Sequence, residues 1–206
     1  MLKYDELISS FIILWAVIDP IGTIPVFIAV TKNYAEEEKK KIASFATIVS
    51  FFVLLFFLVV GELLLKSMGV PLAAFQVSGG IILLLFALNM VFGNSKPEEE
   101  IAMLRPGKET AVFPLAMPSI ASPGAMLAVV LLTDNSRHSI LDQALTALVM
   151  SFILFITYLN MRFSTKIVRI IGNSGAIVIS KVMGLVLASI ASTNILVGIQ
   201  EFFRLK

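Results

Sequence analysis

Leu7–Thr31 reads LISSFIILWAVIDPIGTIPVFIAVT, an apolar run long enough to cross a membrane but interrupted at its centre by Asp19-Pro20-Ile21-Gly22. The charge-free part before the interruption, Leu7 to Ile18, would be only about 18 Å long as a helix. A hydrocarbon core needs about 20 helical residues, so the break falls inside the membrane. Asp19 is expected to be the N-cap and Pro20 the first residue of a second half-helix. Gly22 would allow close backbone approach, and Pro25 removes a further donor.

Five more apolar windows follow. They run from Ile42 to Leu65, Pro71 to Phe92, Ala111 to Thr133, Ala144 to Met161 and Val182 to Gln200. Over the 206 residues, 58% of side chains are hydrophobic, 15% are charged and the mean hydropathy is +0.95. A soluble domain carries roughly 25% charged residues, so the chain is read as an integral membrane protein. The runs are apolar all round rather than alternating, which predicts spanning helices and excludes a β-barrel. The start Met1-Leu2-Lys3 imitates a signal peptide, but Asp19-Pro20 and more apolar sequence follow where small residues would mark a cleavage site, so a retained first span is expected.

Lys and Arg divide unequally between the two sides. The N-terminus, second loop, fourth loop and C-terminus hold Lys3, Lys66, Arg137, Arg204 and Lys206; the other eleven of the 16 lie in the first, third and fifth loops. The positive-inside rule then places those three loops in the cytoplasm and both termini outside. The net charge of +2 is spread between apolar runs, so a nucleic-acid footprint is lacking. With no cysteine and the single histidine His138, the sequence offers no disulfide framework, thiolate nucleophile or Cys/His metal cluster, and no metal or cofactor is expected.

Sliding the chain against itself gives a repeat. At an offset of 105, Val77, Gly79, Asn89 and Gly93 match Val182, Gly184, Asn194 and Gly198. Asp19-Pro20-Ile21-Gly22 lies opposite Ser122-Pro123-Gly124 at nearly the same offset, and Pro114 and Pro118 loosen the segment leading to that second break. Three spans per half is an odd number, so the second half must be inverted relative to the first. The expected architecture is all-α, with six transmembrane helices in an inverted three-plus-three repeat and helices 1 and 4 broken near the midplane. Residues 1–92 would form the first repeat, 93–110 a solvated cytoplasmic connecting loop holding Pro97 and Glu98 to Glu100, and 111–206 the second repeat. Two breaks at symmetric depth would bring together half-helix N-termini with partial positive charge and free N–H groups.

The motifs Asp19-Pro20-Ile21-Gly22-Thr23-Ile24-Pro25-Val26-Phe27, Phe75-Gln76-Val77-Ser78-Gly79-Gly80-Ile81, Phe113-Pro114-Leu115-Ala116-Met117-Pro118, Pro123-Gly124-Ala125 and Met183-Gly184-Leu185 resemble those of the MarC family of inner-membrane proteins, which includes SnatA-type small neutral amino-acid transporters. Ser122 stands where that family usually has glycine, adding a hydroxyl. The resemblance implies transport of glycine, alanine and similar amino acids, with proton coupling; sodium is the alternative coupling ion.

Asp19, the one carboxylate expected deep in a span, is the candidate for a substrate ammonium or a coupling proton. The expected substrate site comprises Asp19, Pro20, Ile21, Gly22 and Thr23 at one break and Ser119, Ser122, Pro123, Gly124 and Ala125 at the other, with Ser78 and Gly79 beside them. Gly79, Gly80 and Gly184 are expected to let spans three and six press against the broken helices, and Asn89 and Asn194 to make interhelical hydrogen bonds. Glu62 and Lys66 form a helix-surface pair, and Lys181 snorkels. A phosphate-binding loop of the G-x-x-x-x-G-K-[ST] type is absent, so transport would draw on a gradient. An intramembrane enzyme is disfavoured because neither a second deep carboxylate nor a base beside a serine is expected. The competing function is a channel, or an exporter of another small polar metabolite. An enzyme reporter that works only outside the cytoplasm, fused after Lys206, should be active; activity confined to a cytoplasm-dependent reporter would reverse the orientation.

Overall fold

The computed structural model describes residues 2–92, 112–134 and 138–204. The expected connecting loop 93–110, together with Gly93, Ala111 and Arg137, lies outside the described residues. The elements are α1 (Leu2–Ile18), α2 (Thr23–Val30), α3 (Glu36–Ser67), α4 (Leu72–Phe92), the irregular α5 (Val112–Ile120), α6 (Pro123–Leu132), α7 (Ile140–Arg162) and α8 (Ser164–Arg204). Among the described residues all regular structure is helical. Five segments are long and apolar enough to cross a membrane, and a sixth forms if α5 and α6, bent by 46° at their junction, count as one.

The broken spans occupy the centre of the bundle. Leu14 and Ile18 of α1, Ile24 and Val26 of α2, Leu115 and Ile120 of α5 and Ala125 and Val129 of α6 are all buried. The outer helices turn large apolar side chains outward, among them Phe52, Val59, Leu85 and Leu148. That is the expected surface of a protein whose solvent is lipid. The chain termini of the outer helices obey soluble-protein rules: Ser139 and Asp142 close a capping box on α7, and Glu36 and Glu37 pair with Lys39 and Lys40 at 2.7 and 2.6 Å. Glu62 and Lys66 pair as the spacing predicted.

The seam between α4 and α8 is built from small residues. A Cβ placed on Gly198 would lie 2.9 Å from the Ala73 carbonyl oxygen, one on Gly80 would lie 3.0 Å from that of Ala191, and one on Gly184 would lie 3.2 Å from that of Ala87. Ala73, Gly80 and Ala87 ascend α4 in steps of seven while Gly198, Ala191 and Gly184 descend α8 in steps of seven, so the two helices are antiparallel. A seven-residue step keeps one helix face turned toward its partner over successive turns. Each pair sets a glycine against an alanine, which brings the backbones into contact, the arrangement favoured where lipid removes the hydrophobic incentive to associate.

Two expectations are corrected here. Gly80 and Gly184 serve contact between α4 and α8 rather than contact with the broken spans; only Gly79 meets a broken span, against Leu127 of α6. The last helix also starts well before Val182, at Ser164, and is interrupted at Gly172 (φ 72°). Its apolar part runs Ile177–Phe203, which puts Lys181 inside the helix. There the ammonium group donates to the Val91 carbonyl at the C-terminal end of α4, 2.8 Å away, where a cation suits the helix dipole.

Gly198→Ala should lower resistance to heat or denaturant in detergent by about 1–3 kcal/mol, the cost of overpacking a closed contact. Ser192→Ala, at an exposed position of the same helix, is the control. Equal stability of the two variants would contradict the seam.

Candidate functional site

The first break is organised by Asp19. Helix α1 ends with Asp19 N–H donating to the Trp15 carbonyl at 3.0 Å, after which Asp19 takes a left-handed backbone conformation with φ 49°. For a residue with a Cβ this costs about 1–2 kcal/mol, least for Asp and Asn. Pro20, Ile21 and Gly22 then form a turn closed by Thr23 N–H to the Asp19 carbonyl (3.1 Å) and Ile24 N–H to the Ile21 carbonyl (3.1 Å). The expectation that Pro20 begins the second half-helix is therefore corrected. Regular helix begins at Thr23 and Gly22 occupies the N-cap position, because the chain reverses its local hand at Asp19 and needs a turn to recover.

The Asp19 carboxylate nevertheless caps this turn. Its Oδ1 accepts from Gly22 N–H at 3.0 Å, and its Oδ2 accepts from the Ser180 hydroxyl of α8 at 2.8 Å. The side chain is 1% exposed. A Cβ on Gly22 would collide with Oδ2 and lie 2.6 Å from Ser180 Oγ, so only glycine leaves the carboxylate in place.

The second break follows the same rule with a different side chain. Ser122 is extended (φ −70°, ψ 157°), Pro123 opens α6, and Ser122 Oγ accepts from Ala125 N–H at 3.1 Å. Asp19 to Gly22 and Ser122 to Ala125 are thus two caps, each spanning three residues. The segment before it, α5, is extended at Phe113 and Met117, each preceding a proline, which accounts for its irregular helix.

The breaks also satisfy each other's backbone. Pro20 has no N–H, so the turns at the end of α1 leave carbonyls without helical partners. Ser122 Oγ donates to the Val17 carbonyl at 3.2 Å, and Asn160 Nδ2 of α7 donates to the Pro20 carbonyl at 3.2 Å. The Ser50 hydroxyl of α3 donates to the Ala46 carbonyl of its own helix at 2.8 Å and lies 3.3 Å from the Ala116 carbonyl of α5, which accepts from Ala121 N–H at 2.9 Å. Polar side chains from α7, α8 and the second break therefore converge on the first interruption, as backbone groups out of reach of water require.

Of the expected site residues, the structure brings Asp19, Pro20, Ile21, Gly22 and Thr23 together with Ser122, Pro123, Gly124 and Ala125. Ser119 is fully buried, and its hydroxyl has no hydrogen-bond partner, a cost of about 1–3 kcal/mol. Gly79 supports the site through Leu127. Ser78 stands apart: it is exposed on α4 and its hydroxyl returns to the Ala74 carbonyl at 2.9 Å. Asn89 is likewise exposed, whereas Asn194 is half-buried and lines a partly open cavity.

One expectation about donors changes. Gly22 and Ala125 N–H groups are occupied by Asp19 and Ser122 rather than free, since a short polar side chain three residues upstream is the nearest acceptor. Two further carboxylates are buried nearer the span ends: Asp134 just beyond α6 is 1% exposed and Glu62 in the last turns of α3 is 8% exposed. Ser180 and Asn160 escaped the sequence reading. Their only signal was polarity inside apolar runs, Ser180 beside Lys181 and Asn160 near the end of span five.

The comparisons with known proteins agree on one relationship. The profile of the "MarC family integral membrane protein" group matches residues 4–203. A "UPF0056 membrane protein" of Aquifex aeolicus is 33% identical over 96% of this chain and 94% of its own. The "UPF0056 membrane protein YvbG" of Bacillus subtilis is 33% identical over 98% of each, and a "UPF0056 membrane protein" of Archaeoglobus fulgidus is 32% identical over 94% of this chain and 92% of its own. No solved structure matches. A match over nearly the whole length, including both breaks, makes this chain a member of the MarC family of integral membrane proteins.

Proposed function

We propose that the protein is a secondary transporter of small neutral amino acids, a carrier rather than an enzyme, which binds a zwitterion where the two broken spans meet and couples its passage to protons or sodium. The two halves are an inverted repeat in this reading, and the antiparallel α4–α8 seam suits that arrangement. Its termini lie outside a cell inner membrane, and it needs no cofactor. The observation that carries the proposal is the matched pair of caps, Asp19 on Gly22 N–H and Ser122 on Ala125 N–H, linked by Ser122 to the Val17 carbonyl.

The chemistry fits a zwitterion. If Asp19 turns to a substrate ammonium, Gly22 N–H is released to the substrate carboxylate at a helix N-terminus, where an anion is favoured. The buried Ser119 hydroxyl, which lacks a partner, supplies a further donor or acceptor nearby. The breaks themselves offer glycine, alanine, serine and backbone, and the Leu83 and Phe86 side chains stand against Gly124, so glycine, alanine and serine are expected to fit while leucine and phenylalanine are not. Because Asp19 leaves Ser180 when it takes the ammonium, substrate binding also frees α8 from the break.

Purified protein should be stabilised against heat by glycine, alanine and serine and little by leucine, phenylalanine or lysine, by about 2.7 kcal/mol at a hundred times the dissociation constant. Equal stabilisation by leucine and glycine would place the site elsewhere. Asp19→Asn keeps an acceptor for Gly22 N–H but loses the charge, so glycine should bind about tenfold to a hundredfold more weakly. Unchanged glycine binding in a folded Asn variant would remove Asp19 from the site. Gly22→Ala should lose both stability and glycine binding, because its methyl group displaces the carboxylate.

A further inference from the structure

Where α3 begins and α7 ends lies a cavity of about 200 Å³ whose lining includes Lys32, Lys39, Lys40 and Arg162, with Ser164 and Thr165 at the start of α8. Lys39 and Lys40 are answered by Glu36 and Glu37 at 2.7 and 2.6 Å. Lys32 and Arg162 form no ion pair among the described residues, and Glu37, which attracts Arg162, is already closed on Lys40. Four cations against two carboxylates leave the space net positive. Ser164 is 5% exposed, and its hydroxyl has no hydrogen-bond partner among the described residues. Buried hydroxyls are ordinarily bonded, which leaves this one to a group entering the cavity.

The cavity continues into an apolar groove. On α3, Lys40, Ser44, Thr47 and Phe51 follow one another in steps of four, three and four, and on α7 Arg162, Tyr158, Phe155 and Ser151 do the same in the opposite direction. Such steps keep to one helix face. Lys40 and Arg162 line the basic cavity, whereas the other six line a groove of about 320 Å³. The two spaces are thus successive levels of one crevice between α3 and α7, with a cationic mouth and an aromatic interior. Within the groove, Phe52 and Phe155 are 62 and 54% exposed. From Lys40 to Phe51 the helix advances about 16 Å, about half of a hydrocarbon core about 30 Å thick, so the crevice has the depth of one leaflet.

We propose that this crevice binds an anionic phospholipid, its phosphate held by Lys32, Arg162 and Ser164 and one acyl chain laid along the groove. Basic pockets between membrane helices recognise such headgroups because each cation near the surface attracts the anion. Charge and shape act together here. A zwitterionic lipid brings a cation of its own toward Lys32 and Arg162, and a free phosphate leaves Phe51, Phe52 and Phe155 uncovered. Phe27 and Thr31 of α2 also line the cavity, so the lipid bridges the second half of the first broken span to α3, α7 and α8. The site is independent of what the protein carries.

The single tryptophan, Trp15, makes the test direct. In a Trp15→Phe background, Phe155→Trp places the one tryptophan in the groove, and Leu85→Trp places it on the outward face of α4 as the reference. In proteoliposomes of phosphatidylcholine, lipids with brominated acyl chains quench the tryptophan they lie against. The groove tryptophan should report at least about a fivefold preference for phosphatidylglycerol over phosphatidylcholine, and the reference almost none. Lys32→Gln combined with Arg162→Gln should abolish the preference, whereas Lys32→Arg combined with Arg162→Lys should keep it. Lys41→Gln, which removes an exposed cation outside the cavity, should leave it unchanged. Equal preference at the two tryptophans, a preference that survives the double Gln variant, or an equal loss with Lys41→Gln would overturn the site. In detergent, phosphatidylglycerol should raise the melting temperature of the native chain more than phosphatidylcholine does, and the double Gln variant should lose that difference. Inorganic phosphate that stabilises as strongly at the same concentration would assign the cations to a free anion and overturn the lipid. Stabilisation by phosphatidylglycerol without quenching at position 155 would overturn the groove.

Discussion

A single carboxylate holds the first broken span together. Asp19 ties the turn after α1 through Gly22 N–H and ties that turn to α8 through the Ser180 hydroxyl. Its backbone stays in the left-handed region only because both ends of the side chain are held. Remove the carboxylate and two connections fail at once: the half-helix loses its cap, and the outer helix loses its polar link to the centre. An ionisable group this deep is expensive, and in membrane proteins such groups are commonly tied to the passage of substrates or ions.

Around that centre the structure divides labour by residue size and polarity. Small residues set the outer seam: the alternation of glycine and alanine between α4 and α8 brings backbones together where lipid gives side chains no reason to cluster. Polar side chains serve the centre, where Ser122, Asn160 and Ser180 answer backbone or carboxylate groups left by the interruptions. Lys181 adjoins Ser180 and grips the end of α4, so one short stretch of α8 contacts both the seam partner and the break. A displacement of α8 is therefore felt at Asp19.

The spans and the two breaks were legible because their signals are local: charge-free windows of membrane length, and Pro with Gly where a helix should continue. Span two, predicted over Ile42 to Leu65, extends to Glu36–Ser67 because charged first and last turns are invisible to a hydropathy window but are good helix formers. What was not legible depends on distance in space. The left-handed turn at Asp19 looked like an ordinary cap, since Asp-Pro alone does not reveal the hand of the backbone. Ser180 and Asn160 became visible as partners only when α8 and α7 were laid against α1. Ser78 resembled a site residue because it adjoins Gly79, yet one residue along a helix is about 100° of rotation and turns it outward. Burial of Asp134, just past the end of α6, was likewise invisible from its place between two apolar runs.

In the function proposed for it, this pair of linked breaks moves a small zwitterion against its own gradient. Purified protein in sealed vesicles, given radiolabelled glycine at equal concentration on both sides and an imposed proton or sodium gradient, tests it most directly. Glycine should accumulate well above the starting concentration with one of the two ions and fall back when an ionophore dissipates that gradient. Label that merely stays equal on both sides under either gradient would contradict it.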